Sequence, residues 1–470
     1  MLDDTIAALA TPPGVGALAL VRVSGREAIQ VAERVFVPAG RHAVRPAAAP
    51  SHTLHYGHIC RDGAVVDEVL LAVMRAPRTF TRQDVVEITC HGGRLTARLV
   101  LEAVLAQGAR LANPGEFTLR AFLNGRLDLT QAEAVADMIQ AETELALRAA
   151  RAQLAGKLSQ SIRQLREDLL QVLAEVEAQL DFPEDDIPPP PEAELLGRLE
   201  HGLERVEGLL RTAHEGQILR HGLRTAIIGR PNVGKSSLLN RLLGHDRAIV
   251  SPVPGTTRDT IEETANIGGL PVVLVDTAGL RAPADEVELE GIRRSRAAVD
   301  RAELVLHVLD GSEPLTAEDR RFLGEFAAKK RILVCNKADL PRRLDMRELR
   351  ASHPDAASNH ATPGTETVLE VSCLTGQGLE ALRDAIRSSG LSQSADAACA
   401  EIAISARHQE VLLRVREAMN RAMAALQQAL PWELMAVDLH EALRAAGEIT
   451  GETVTEDLLE TIFSRFCIGK

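Results

Sequence analysis

The sequence predicts a multidomain chain of mixed α/β and α class, with a small N-terminal α+β domain, a helical domain split in two along the sequence, and a parallel-sheet P-loop α/β domain inserted between the halves. Three observations carry that prediction. The chain has 470 residues, too many for one hydrophobic core, and 45% of them are hydrophobic, enough for several. Its apolar pattern passes from short runs split by turn residues to helical spacing, then to strands alternating with helices, and back to helical spacing. A G-x-x-x-x-G-K-S segment lies between a predicted strand and a predicted helix inside the alternating block.

Residues 1–118 hold the apolar runs Ala17 to Val23, Glu68 to Met74 and Val85 to Cys90, closed by Ser24-Gly25, Pro77 and His91-Gly92-Gly93, the pattern of short strands and turns. Residues 119–216 are the first part of the helical domain, with Leu165, Leu169, Val172, Leu173, Val176 and Leu180 on one face. Within it, the four successive prolines Pro188 to Pro191 fix φ and remove donors, so 181–191 is read as an exposed turn between helices. Residues 217–384 form the P-loop domain, with strands expected at 225–228, 272–275, 304–309, 332–335 and 368–371. Residues 385–470 are the second helical part, striped by Leu412, Val415, Met419, Met423 and Leu426 and then by Met435, Leu439 and Ala442. Helices on both sides of the insertion need partners for their apolar faces, so they are expected to pack together.

Composition narrows the function. The chain carries 53 Lys plus Arg against 66 Asp plus Glu, a net charge of −13, which is the wrong sign for gripping nucleic acid through phosphates. Aromatics are 2% of residues, with one Trp and one Tyr, too few for a base-stacking platform, so any RNA contact is local or shared with a basic partner. The six cysteines include no C-x-x-C pair, which suits reduced thiols rather than disulfides or zinc. No apolar run reaches the roughly 18 residues of a membrane span, and the N-terminus starts acidic where a secretory signal starts basic. The expectation is a cytoplasmic protein with no membrane association.

In Gly229-Arg-Pro-Asn-Val-Gly-Lys-Ser236, the backbone amides of Asn232, Val233, Gly234, Lys235, Ser236 and Ser237 are placed to wrap phosphates at a helix N-terminus. Lys235 reaches the outer phosphates and the Ser236 hydroxyl ligates Mg²⁺. Asp276, Thr277, Ala278 and Gly279 end a later strand, where a carboxylate holds the metal shell and a glycine amide meets the γ-phosphate. Between them, Thr256 and Thr257 form a short switch motif, with Thr257 closing over Mg²⁺. Asn336, Lys337 and Asp339 follow a strand, and the Asp339 carboxylate accepts from guanine N1–H and the 2-amino group, which adenine lacks. Ser372 and Cys373 make the last base-contacting loop, where a serine-alanine pair is commoner. Leu280 stands where Ras-like enzymes place a water-orienting glutamine. Asp285, Glu286 and Glu288 are candidates for that task, and a merely solvated acidic loop is the plain alternative.

Outside the nucleotide motifs, the segments Asp4 to Gly14, Val21 to Gly25, Phe80 to Glu87, His91 to Gly93, Pro114 to Thr118, Arg120 to Gly125, Gln131 to Asp137 and the terminal Phe466 to Lys470 run from end to end of the chain. On these segments the whole chain resembles the MnmE (TrmE) family of tRNA modification GTPases. The resemblance implies a Ras-like GTPase domain and an N-terminal domain that dimerises and binds a 5-formyl- or methylene-tetrahydrofolate through Arg22, Glu87, Arg126 and Lys470. Arg126 replaces a lysine of some members, keeping charge but not geometry. The resemblance also points to a chemical role for Cys467, against which an inert packing thiol is the alternative. It implies a K⁺ ion held by Asn232, Ser251, Val253 and Thr256 in place of an arginine finger, and it maps the water-orienting glutamate onto Glu288, acting with Lys235 and Thr257. The implied partners are a second copy, a flavin-containing protein (MnmG or GidA) in a heterotetramer, and tRNA. Together they modify carbon 5 of the wobble uridine. A GTP switch in ribosome assembly would predict no folate binding and would leave the N-terminal segments and the Cys-Ile-Gly-Lys tail unexplained.

Overall fold

The computed structural model describes residues 4–41, 43–181, 190–244, 262–276, 299–351, 367–391 and 402–469. The chain forms two compact units: Met1–Ala136 with Leu154–Gly202 and Arg414–Lys470, and Asp137–Gln153 with Leu203–Leu413.

The first unit contains a sheet of β1 (Ile6–Leu9), β2 (Leu18–Ser24), β3 (Phe36–Pro38), β4 (Thr53–Arg61), β5 (Ala64–Met74), β6 (Val85–His91) and β7 (Arg110–Leu111). Their order is β3-β4-β5-β6-β2-β1-β7, antiparallel except for the β1–β7 pair. The period-2 pattern of the strands sends Val21, Val23, Val86, Ile88, Leu71 and Val73 to one core, closed by α1 (Ala28–Val35) and α2 (Arg94–Leu105). The intervening residues Leu18, Leu54, Tyr56 and Leu70 remain exposed. In sequence order α3 (Glu116–Leu123), α4 (Leu129–Gln140), α5 (Glu144–Leu154, almost wholly in the second unit), α6 (Lys157–Asp181) and α7 (Glu192–Arg211) follow. The predicted stripe of α6 is buried from Leu165 to Val176, with Leu180 half-buried at the helix end. α6 packs on the helix Trp432–Thr450, and His440 Nε2 lies 2.9 Å from Glu177 Oε1. A Cβ on Gly202 would meet Met419 Cε at 2.9 Å and Leu165 Cδ1 at 3.2 Å, so helices from before and after the inserted block meet there. Most of the expected proline turn, 182–189, lies outside the described residues.

The second unit holds α8 (Ala213–His221), α9 (Lys235–Leu243) and a sheet of β8 (Leu223–Ile228), β9 (Glu262–Ile267), β10 (Leu270–Asp276), β11 (Leu304–Asp310), β12 (Arg331–Asn336) and β13 (Thr367–Glu370). The order is β13-β12-β11-β8-β10-β9, parallel throughout except for β9. β11 and β12 are buried at every position, as parallel strands covered on both faces are. β9, which the apolar pattern does not show, pairs antiparallel with β10 as an edge strand with only Ala265 and Ile267 among its buried hydrophobics. Its turn is Gly268-Gly269, both at positive φ (59° and 89°), the geometry that lets two residues connect a twisted hairpin. The carboxyl ends of β8, β10, β11 and β12 carry the residues described next.

Candidate nucleotide and ligand sites

β8 ends in the glycine-rich loop. Gly229 sits at φ 143°, and a Cβ there would lie 2.3 Å from Val308 O on β11. Gly234 sits at φ 101°, and its Cβ would lie 2.1 Å from Asn336 Nδ2. Both glycines of the motif are thus required by backbone conformation and close approach. Asn232 takes the left-handed region without being glycine, at φ 63°, and is exposed. The Lys235 ammonium lies over the loop, donating to Gly229 O at 2.8 Å and Arg230 O at 2.9 Å. Val233 is buried, while Ser236 and Ser237 are exposed in the first turn of α9, where free amides and the helix dipole favour an anion. Asp276 ends β10 in register with Ile227 of β8, which brings its backbone beside the strand that feeds the loop. Ser251, Val253, Thr256, Thr257, Thr277, Ala278, Gly279 and Glu288 lie outside the described residues.

The loops after β12 and β13, expected from the sequence to contact the base, meet this one directly. Buried Asn336 donates from Nδ2 to Val233 O at 2.8 Å and accepts from the Cys373 amide at 3.1 Å. The buried Ser372 hydroxyl donates to Asp339 Oδ1 at 2.5 Å, orienting an exposed carboxylate that can only accept. Lys337, at φ 66°, pairs with buried Asp310 at 2.5 Å. Burial raises the Asp310 carboxyl, but Lys337 and two hydrogen bonds from Ser312 outweigh it and hold the group below the usual carboxylate range. Asp310 belongs to no motif, and its only sequence signal is a carboxylate ending a strand that is apolar but for His307. Burial pushes the Cys373 thiol up.

The first unit holds a second cluster. Arg22 on β2 and Glu87 on β6 are cross-strand partners, with Arg22 Nε and Nη2 both 2.8 Å from Glu87 Oε1. Arg22 Nη1 also donates to Gly469 O at 3.1 Å. The tail is seated by Phe463 and Phe466, buried with Leu129 and Ala132, and by the Gly115 amide, which donates to Cys467 O at 3.4 Å. The Cys467 side chain is exposed, and Lys470 lies outside the described residues. Arg126 is held separately, donating to Thr79 O at 2.5 Å and stacking 5.4 Å from the Phe80 ring centroid. Phe80 packs in the same apolar cluster as Phe117, whose ring lies 5.8 Å from the Arg22 guanidinium. Arg22 and Arg126 thus each lie against one ring of the same apolar cluster, and Arg22 is also paired with Glu87.

Among the described residues, no group of three or more His, Cys, Asp or Glu side chains is arranged to hold a metal ion, and no helix is long and apolar enough to cross a membrane. The family described as GTP-binding protein TrmE N-terminus matches residues 5–126, and the MnmE helical domain family matches residues 129–467. The chain is 47% identical over 474 residues to the tRNA modification GTPase MnmE of Geobacillus kaustophilus, covering 99% of each chain. It is 49% identical over 473 residues to that of Chloroflexus aurantiacus, covering 100% of each. It also matches the solved G domain of the T. maritima FeoB iron transporter at 28% identity, covering 36% of this chain and 98% of that one, with a TM-score of 0.26.

Proposed function

The chain belongs to the MnmE family of tRNA modification GTPases, and from that membership we propose that it couples K⁺-activated GTP hydrolysis to the addition of an aminomethyl or carboxymethylaminomethyl group at carbon 5 of a tRNA wobble uridine. The methylene comes from a tetrahydrofolate carrier, and a flavin-containing partner protein completes the complex. The observation that carries this reading is Arg22, which joins Glu87 to the last residues of the chain in a unit separate from the nucleotide loops.

In the nucleotide site, Lys235 and the N-terminus of α9 stabilise phosphate charge, and Ser236, Thr257 and Asp276 would hold Mg²⁺, which would add positive charge at the phosphate oxygens. Glu288 orients the attacking water in place of the glutamine that Leu280 replaces. Asn232, Ser251, Val253 and Thr256 would hold K⁺, a fixed positive charge where an arginine finger otherwise acts. The exposed, left-handed Asn232 at the loop rim supports that placement. In the first unit, Glu87 would accept from ring N–H groups of the folate, with Arg22, Arg126 and Lys470 on its anionic parts. A homodimer is supported by the sheet face that leaves Tyr56 and Leu70, paired across β4 and β5, exposed together with Leu54 on β4. The acidic charge of −13 leaves much of the basic tRNA surface to the partner protein.

The test is steady-state hydrolysis of GTP and ATP in KCl and NaCl at matched ionic strength, with equilibrium dialysis of 5-formyl-tetrahydrofolate. Turnover that is fast only in K⁺ and absent with ATP, and folate binding that Arg22→Ala removes, are expected. Equal rates in the two salts overturn the K⁺ assignment, and folate binding that ignores Arg22 overturns the ligand site.

A further inference from the structure

α9 carries phosphate-binding groups at its N-terminal end, and in its last turn Arg241 reaches the loop after β13. Arg241 Nε donates to Cys373 O at 2.8 Å and Nη2 to Leu374 O at 2.7 Å. That loop is a tight turn closed by the Ser372 amide on Gln377 O at 2.9 Å, the Gly376 amide on Ser372 O at 2.9 Å and the Thr375 amide on Ser372 Oγ at 3.1 Å. Apolar packing holds its base rather than its crest: Val371 is fully buried and Cys373 packs against the core, but Leu374 at the crest is 76% exposed. Hydrogen bonds therefore hold the crest, from Asn336 to the Cys373 amide on one side and from Arg241 to two successive carbonyls on the other. A guanidinium offers two donors at fixed spacing in one plane, which an ammonium does not.

We infer that Arg241 is a positioning residue for guanine recognition. It fixes the Ser372–Leu374 segment so that the Ser372 hydroxyl keeps Asp339 turned to the base, and it ties this loop to the helix that binds the phosphates. The inference rests on the GTPase reading and adds a determinant that lies in none of the nucleotide-binding motifs. In the full-length protein, Arg241→Ala raises KM for GTP about tenfold and leaves kcat within about twofold, roughly the net worth of a single hydrogen bond lost through an indirect contact. Its preference for GTP over inosine triphosphate, which lacks the 2-amino group, falls several-fold, and Arg241→Lys recovers only part of it. A purely structural arginine would lower the melting temperature without moving that preference. An unchanged preference, in either variant that folds, overturns the inference, as does a loss confined to kcat. Wild-type protein that fails to hydrolyse GTP would instead overturn the underlying GTPase reading.

Discussion

Gly229 and Lys235 meet across six residues of sequence, whereas Arg22 meets Gly469 across 447. Around the nucleotide loop the backbone itself is constrained: φ of 143° at Gly229 and 101° at Gly234, each with a neighbour too close for a Cβ, permits one residue type. Around Arg22 the backbone is ordinary β-strand, and the site exists because β2, β6 and the C-terminal tail converge. A site built on special backbone leaves a motif, while a site built on convergence leaves an arginine and a glutamate like any others.

The sharpest break of that comparison is Lys235→Ala. GTP turnover is expected to fall about 10³-fold, the scale of losing a main transition-state charge, while 5-formyl-tetrahydrofolate affinity stays within twofold in dialysis. A folate site that weakens in parallel would show the two regions to be one functional unit. Buried carboxylates allow a like-for-like test next. Glu116 is held by Arg110 and buried Arg120 in the first unit, and Asp310 by Lys337 in the second. Burial raises the Glu116 carboxyl, but Arg110, the Asn113 amide and Arg120 bring it below its usual value, as Lys337 does for Asp310. A lowered folded-state pKa means stability that is present above the unfolded value near 4 and lost as pH falls through the folded one. Glu116→Gln and Asp310→Asn should each cost about 3 kcal/mol at neutral pH and flatten the acid limb of the stability curve. Denaturant melts from pH 7 to pH 3 that keep the wild-type slope would contradict this.

Gly469→Ala is expected to act more gently. At φ 95° its Cβ would sit 2.7 Å from Leu9 O, so the tail must shift, weakening folate binding about tenfold with KM for GTP unchanged. Unaltered folate binding would mean that the tail is a bystander. The smallest effect concerns thiols. Burial pushes Cys90 in the first unit and Cys335 in the second up to about 11, so both should resist iodoacetamide at pH 7 while exposed Cys467 is labelled. Rapid modification of either buried thiol in the native protein, read by mass spectrometry, would show its unit opening locally.

The sequence by itself determined the glycine loop, the Asn336-Lys337-Asp339 and Ser372 segments, the buried strands and the apolar stripe of α6, because positive φ, two-sided burial and helical periodicity each restrict residue type at short range. The residues proposed to hold a folate were legible only through family resemblance. Tertiary structure alone decided the seat of Asp310 under Lys337, the reach of Arg241 to the loop after β13, and the meeting of Arg22 with the tail. Each of those depends on groups brought together from different elements, and a contact between distant residues in ordinary backbone leaves no local restriction for the sequence to show.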